Sequence, residues 1–173
     1  MTQCFFTTAF FGGRGDRLKY TLTEEHVTTC ISNWLRSLGW KVIAMDIPGG
    51  GSGMTFRSDK NKEVERGRLK GSIKPDIIAI KKNVCLLFEN KPKFNKGDFD
   101  KQQRARESRE FENDIARYSE LKCKRYYYGI GMGMVPVNND KIKARQQDVD
   151  FIVTSDSDGN CELIYQASAK PFF

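Results

Sequence analysis

The sequence has few of the residues from which zinc sites and disulfide frameworks are built. It contains one histidine, His26, and five scattered cysteines that form no CxxC pair. These features argue against a structural zinc site, and an odd number of unpatterned cysteines suits a reducing cytoplasm. Internal repeats, low-complexity blocks and long uninterrupted apolar runs are also missing. We therefore expect a cytoplasmic protein with no signal peptide, no membrane-spanning segment and no membrane partner.

What the sequence does have is an excess of positive charge. The 173 residues carry 29 lysines and arginines against 22 acidic residues, which gives a formal net charge of +7. This length is typical of one domain, and we take residues 1–173 as a single domain. A basic balance favours a polyanionic partner, of which nucleic acid is the most common.

Apolar residues recur with helical and strand periodicities that predict an α/β fold. A helix is expected at 22–38 and a long connection at 49–72, often a sign of function. The other predicted elements are strands at 40–47, 73–80 and 84–91, a helix at 99–122, a strand at 125–130 with a flexible glycine-rich segment 129–133, and a hairpin of 150–154 with 162–166. This α-β-β-β-α-β order, followed by a β pair, predicts a mixed central sheet flanked by helices.

Three charged residues are expected to meet at the end of a predicted hairpin. Twelve residues separate Asp76 from Glu89, and Lys91 follows two residues later. A turn centred on Lys82-Asn83 would place Asp76 opposite Glu89, with their Cβ atoms roughly 4.5–5.5 Å apart. Lys91 would project from the same face as Glu89, because alternate strand residues share a face.

This arrangement of charges predicts a metal-dependent phosphodiesterase. Two adjacent carboxylates repel each other unless a cation lies between them, and Mg²⁺, with Mn²⁺ as a substitute, is the natural occupant. Asp76 and Glu89 are the predicted metal ligands, with the backbone carbonyl of Asn90 as a third. Lys91 would stabilise the negative charge that builds at phosphorus, or orient the attacking water.

The segment Pro75-Asp76 followed by Glu89-Asn90-Lys91 resembles the PD-(D/E)xK signature of the restriction-endonuclease-like nucleases. The predicted α-β-β-β-α-β order is similar to that family's core, and the resemblance spans roughly residues 22–130. The chain departs from the family pattern at Asn90, where an apolar residue is more common. The resemblance implies an endodeoxyribonuclease, with a type II restriction-like homodimer that cuts duplex DNA as the favoured form. A structure-specific nuclease of the junction-resolvase or repair type, or a non-catalytic DNA-binding module, is the alternative.

Acidic residues at the helix starts have two open interpretations. Members of the family often add an acidic catalytic residue from the first helix, and Glu24 lies nearer the apolar stripe than Glu25. Glu24 also fits a capping box with Thr21, in which it would only bond the backbone. At the second helix, Asp98 and Asp100 are expected to act as caps or dipole partners.

Basic residues before the hairpin are candidates for DNA contacts, although their mixture with acidic residues equally fits a solvated loop. The segment 57–70 leads directly into the strand that carries Asp76, which would place it beside the scissile phosphate. The predicted DNA-binding residues are Arg14, Arg17, Arg57, Lys60, Arg66, Arg68 and Lys70.

Overall fold

A computed structural model describes residues 22–47, 50, 52–59, 71–118, 123–134, 139–167 and 172–173. Its helices are α1 Glu24–Ser37, α2 Lys96–Ser108, α3 Glu112–Tyr118 and α4 Asn139–Arg145. Its strands are β1 Lys41–Met45, β2 Phe56–Arg57, β3 Ser72–Ile73, β4 Ile77–Lys81, β5 Val84–Lys91, β6 Arg125–Gly133, β7 Phe151–Ser155 and β8 Cys161–Gln166.

Six strands form one mixed sheet in the order β1-β4-β5-β6-β7-β8. Strands β5, β6 and β7 run parallel to one another, while the pairs β1-β4, β4-β5 and β7-β8 are antiparallel. Strands β2 and β3 form a separate two-stranded ribbon. The predicted class, an α/β fold with a mixed central sheet flanked by helices, is confirmed.

Helices cover both faces of the sheet, so the central strands are buried on each side. The apolar stripe of α1, which includes Ile31 and Leu35, packs with Phe88 on one face. On the other face, α2 and α3 contribute Ala105 and Ile115 to a second cluster. All five residues are buried. This double burial explains why β4 and β5 read as continuous apolar runs rather than as alternating patterns.

The hairpin of β4 and β5 has the register that the sequence predicts. Lys81 pairs with Val84, and the ladder continues without a break to Ile77 and Phe88. The regular pairing ends there, one residue short of Asp76. The Asp76 backbone N–H donates to the Phe88 carbonyl at 2.9 Å, which keeps Asp76 attached to the end of β5.

Two predicted elements are divided in the structure. The helix expected at 99–122 is wrong as a single unit, because α2 ends at Ser108 and Arg109 adopts a left-handed backbone with φ of 53° before α3 begins. The strand expected at 73–80 splits into β3 and β4. Pro75 lies in the gap between them, where it has no backbone N–H to contribute to a sheet.

The glycines of 129–133 belong to a strand and not to a flexible segment, contrary to the prediction. Gly131 lies on β6 beside Asn90 of β5, and a Cβ at this position would lie 2.0 Å from Asn90 Oδ1. A Cβ on Gly129 would lie 2.1 Å from the ring of Phe151. Glycine is therefore used here so that neighbouring side chains can approach the strand backbone.

Candidate active site

The three residues of the predicted hairpin site share one face of the sheet. Glu89 and Lys91 lie on the same face of β5 as Leu87, which packs in the cluster that α2 and α3 cover. Asp76 has the same parity as Ile78 of β4, which packs in that cluster too. Asp76 and Glu89 are each only 6% exposed. The structure thus gathers two buried carboxylates and a lysine where β4 begins and β5 ends.

Asp76 is the most strongly perturbed carboxyl of this group. Burial, followed by the charge of Glu89, raises its pKa from 3.8 to about 7. The backbone N–H of Asn90 opposes the shift by donating to Asp76 Oδ2 at 2.6 Å. A carboxyl with this pKa is about half ionised at neutral pH, and a nearby cation would favour its charged form.

Glu89 makes its shortest ion pair with a residue that sequence reasoning missed. Lys101 of α2 places its Nζ 2.5 Å from Glu89 Oε2, whereas Lys91 Nζ lies 3.9 Å from Glu89 Oε1. Burial still raises the pKa of Glu89, although both lysines oppose the shift. The only hint of this contact in the sequence was helical spacing. Lys101 is adjacent to Gln102, which belongs to the buried face of α2.

Glu24 lies in the same cluster and binds Lys91. Its Oε2 accepts from Lys91 Nζ at 2.7 Å at the start of α1. Thr23 caps α1 by accepting the His26 N–H, whereas Thr21, the partner in the expected capping box, lies outside the described residues. Burial alone would lower the pKa of Lys91, but Glu24 and the other nearby carboxylates outweigh it and raise that pKa. Lys91 is therefore held as a charged ammonium.

Asn90 links the site to the helix on the opposite face. Its side chain is fully buried, and its Nδ2 donates to Thr28 Oγ1 of α1 at 3.1 Å. Gly131 provides the space for this side chain. An apolar residue would pack here but would not form this bond. The role of the Asn90 carbonyl as a metal ligand stays a prediction.

Asp98 belongs to the charged cluster and does not cap α2. The cap is Asn95, whose Oδ1 accepts the Gly97 N–H at 2.9 Å. Burial raises the pKa of Asp98, against the opposing charges of Lys91 and Lys101. Asp98 adds a fourth carboxylate to those of Asp76, Glu89 and Glu24.

Of the predicted DNA-binding residues, only Arg57 lies within the described part of the chain. It is exposed on β2, and its backbone N–H donates to Asp114 Oδ2 at 2.8 Å. Its partner strand β3 ends at Ile73, which lines a small cavity together with Glu89. The ribbon that carries Arg57 therefore adjoins the carboxylate site. The predicted residues outside the described ranges are Arg14, Arg17, Lys60, Arg66, Arg68 and Lys70.

The donor set fits a hard divalent ion that keeps part of its hydration shell. Mg²⁺ is usually bound by one or two carboxylates, with water and phosphate as the other ligands. Asp76 and Glu89 supply two such groups, and burial raises the pKa of both. Within the described ranges, no group of three or more His, Cys, Asp or Glu side chains is arranged to hold a metal ion. A metal at this site would thus rely on ligands besides side chains.

Comparisons with known proteins found no relative of the chain. No protein-family profile, curated protein or solved structure matches the chain. None of the helices in the described ranges has the length and apolar character needed to cross a membrane.

Proposed function

We propose that the protein is a Mg²⁺-dependent endodeoxyribonuclease of the PD-(D/E)xK type, built on a restriction-endonuclease-like core. The observation that carries this proposal is the meeting of Asp76, Glu89 and Lys91 on one face of the sheet, with both carboxylates buried. Burial of several ionisable groups at one place is expensive and is characteristic of functional sites. Ordinary surface charges would instead be hydrated and separate.

In the proposed reaction, Asp76 and Glu89 hold the metal with help from the Asn90 carbonyl. A divalent ion bound there polarises a phosphoryl oxygen and makes a nearby water a better nucleophile. The two carboxylates would hold such an ion in a fixed position relative to β5, because Asp76 accepts the Asn90 N–H and Glu89 lies on β5 itself. Glu89 is only 6% exposed, with Lys101 of α2 beside it.

Lys91 acts as a charged group in this scheme and not as a base. Its pKa is raised, so the ammonium persists at neutral pH and stabilises negative charge on the phosphate in the transition state. Glu24 positions this ammonium through their 2.7 Å contact. In this scheme Glu24 is a positioning residue for Lys91, and a direct catalytic role of Glu24 stays a prediction.

Duplex DNA is the proposed substrate. The net charge of +7 favours a polyanion, and the ribbon that carries Arg57 adjoins the carboxylates. A homodimer with type II restriction-like activity would match the two-fold symmetry of a palindromic duplex, each subunit cutting one strand. This finer assignment depends on the resemblance of the motif and of the order of elements.

Plasmid cleavage with Mg²⁺, with and without EDTA, tests the proposal. We expect the wild-type protein to cut DNA only when free metal is present, and Asp76→Asn to bind DNA without cutting it. Asp158→Asn, which removes an exposed carboxylate in the turn before β8, is the matched control and should cut normally. Cleavage by Asp76→Asn at the wild-type rate would end the catalytic assignment.

The choice of DNA substrate separates the alternatives. Discrete fragments from a linear duplex support the restriction-like form, whereas selective cutting of four-way junctions supports a structure-specific nuclease. Salt-sensitive binding with no cleavage under any divalent metal would leave only a DNA-binding module.

A further inference from the structure

Lys101 lies in the cluster, yet the proposed reaction gives it no role. It reaches the site from α2, whereas the predicted motif lies on β4 and β5. Its ammonium forms the closest contact to Glu89, 2.5 Å from Oε2. The carboxylate that a metal would need is therefore already bound to an internal cation.

The close lysine partners are unevenly distributed among the carboxylates of the site. Lys91 pairs most closely with Glu24, and Lys101 pairs most closely with Glu89. Asp76 receives the Asn90 N–H instead of a close lysine. Glu24 and Glu89 thus each have a close lysine as counter-charge, whereas Asp76 has none among the described residues.

The position of Lys101 is fixed by the attachment of α2 to the rest of the fold. Phe99 and Gln102 of this helix are buried against the sheet. On its outer side, Asp100 pairs with Arg145 at 2.5 Å, and Arg106 Nη1 donates to the Gln147 carbonyl at 3.0 Å. Lys101 is consequently presented to Glu89 by a helix anchored on both sides.

Lys101 and a metal ion would compete for the Glu89 carboxylate. A cavity of about 10 Å³ lies between Glu89, Lys101 and Gln102, which is room for roughly one water-sized ligand. The Lys101 side chain is 34% exposed, so the ammonium has a route to solvent when it leaves Glu89. The lysine and a divalent ion would compete for Glu89 Oε2, and their like charges would repel each other.

We propose that Lys101 is a built-in counter-cation of the candidate metal site: its ammonium competes with a divalent ion for Glu89 and thereby sets the metal concentration at which the site fills. This inference rests on the proposed function and concerns the regulation of the same site. In the metal-free protein Lys101 neutralises Glu89. When metal binds, the ammonium moves away from Oε2 and remains on α2 beside the substrate phosphate.

Calorimetric titration of the metal-free protein with Mn²⁺, without DNA, measures this competition. We expect Lys101→Met to bind Mn²⁺ roughly tenfold more tightly than wild type, because a competing charge close to the site is removed. Lys101→Arg keeps the charge and should bind nearly as wild type does. Lys96→Met removes an exposed lysine from the same helix and should leave Mn²⁺ affinity unchanged.

A second measurement guards against poor folding of the Lys101→Met variant. Without metal, this change leaves Glu89 without its closest partner and should lower the melting temperature, and Mn²⁺ should then raise it more than in wild type. Lys101→Gln, which keeps a polar group beside Glu89, should show the same enhanced Mn²⁺ response with a smaller initial loss. Circular dichroism establishes that each variant is folded.

The outcomes separate this inference from the proposed function. Equal or weaker Mn²⁺ affinity in the folded Lys101→Met variant overturns the role of Lys101 while leaving the nuclease proposal intact. Tighter Mn²⁺ binding without any DNA cleavage by wild type supports Lys101 as a competitor but contradicts the nuclease. Absence of Mn²⁺ binding in wild type and variant alike overturns the metal site and both proposals with it.

Discussion

Two charged clusters lie on either side of α2, one around Arg145 and one around Asp76 and Glu89. They differ in the direction in which they shift the pKa values of their carboxyl groups. Around Arg145, the hydrogen bond to Arg145 is the main cause that lowers the pKa of Asp100, while bonds to Asp100 and Asp148 raise the pKa of the arginine. Every shift there favours the charged form. Around Asp76 and Glu89, burial raises the pKa of both carboxyls and favours the neutral form.

The difference identifies which cluster needs a ligand. The Arg145 cluster is partly exposed, and both of its carboxylates pair with the arginine, so it links α2 to the segment that contains α4. The carboxylate cluster is buried, and the charge on Asp76 is not balanced by any close lysine within the described ranges. A stabilising contact alone would not require such an arrangement.

The largest effect that distinguishes the two clusters should be on catalysis. We expect Lys91→Ala to reduce DNA cleavage roughly 10²–10³-fold, because it removes the charge that stabilises the transition state. Retention of DNA in a binding assay should be nearly unchanged. Arg145→Ala, tested in parallel, should cleave within about twofold of wild type once it is shown to be folded. Equal losses in the two variants would remove the functional distinction between the clusters.

The pH dependence of stability should have opposite signs at Asp76 and at Asp100, because the pKa of Asp76 is raised and that of Asp100 is lowered. The folded-state pKa of Asp76 is about 7 against the ordinary 3.8, so the folded state binds the proton more tightly. Its stabilising contribution is full below about pH 4 and is lost as the pH rises through 7. We therefore compare the unfolding free energy of Asp76→Asn with that of wild type, with EDTA present. Between pH 4 and pH 8 this difference should shift by about 2–4 kcal/mol in favour of the variant.

Urea denaturation at several pH values measures this difference. Asp100→Asn provides the comparison, and it should show the opposite sign, because the pKa of Asp100 is lowered in the folded protein. Parallel pH profiles for wild type and Asp76→Asn would contradict the perturbed carboxyl at the site.

Metal binding should stabilise one cluster and leave the other unaffected. At a free Mn²⁺ concentration 100 times its dissociation constant, the wild-type protein should gain about 2.7 kcal/mol of unfolding free energy. Glu89→Gln should lose most of this gain, whereas Asp148→Asn should keep it. Thermal or chemical denaturation with and without Mn²⁺ gives the comparison, and an equal gain in Glu89→Gln would place the metal elsewhere.

The smallest expected effect belongs to the ion pairs of Arg145 with Asp100 and Asp148. Arg145→Met should lower the melting temperature slightly, and added salt should lessen the difference from wild type, because exposed ion pairs are screened. A difference that does not respond to salt would indicate that packing, and not charge, accounts for the contribution of Arg145.

The sequence was sufficient to predict the hairpin because local rules determine it. A two-residue turn at Lys82-Asn83 fixes the β4-β5 register, and strand alternation then places Glu89 and Lys91 on one face. Lys101 was not predictable in the same way. Its approach to Glu89 depends on how α2 lies across the sheet, which is a tertiary property that residue spacing alone does not determine.

The errors in the predicted elements also have physical causes. Arg109 breaks the expected long helix without the glycine or proline that normally marks such a break. The glycines of β6 suggested flexibility because glycine weakens strands, but Phe151 and Asn90 fill the space above them. Helix α4 was missed because it is short and buries only Ile142.

The central claim is that Asp76 and Glu89 jointly bind a divalent ion. Anomalous X-ray diffraction from crystals grown with Mn²⁺ tests this claim most directly, because the signal locates the metal itself. We predict an anomalous peak at direct ligand distance, about 2.0–2.5 Å, from a carboxylate oxygen of each residue, with Lys101 displaced from Glu89. A well-occupied peak elsewhere, or none at these carboxylates at saturating Mn²⁺, would contradict the claim.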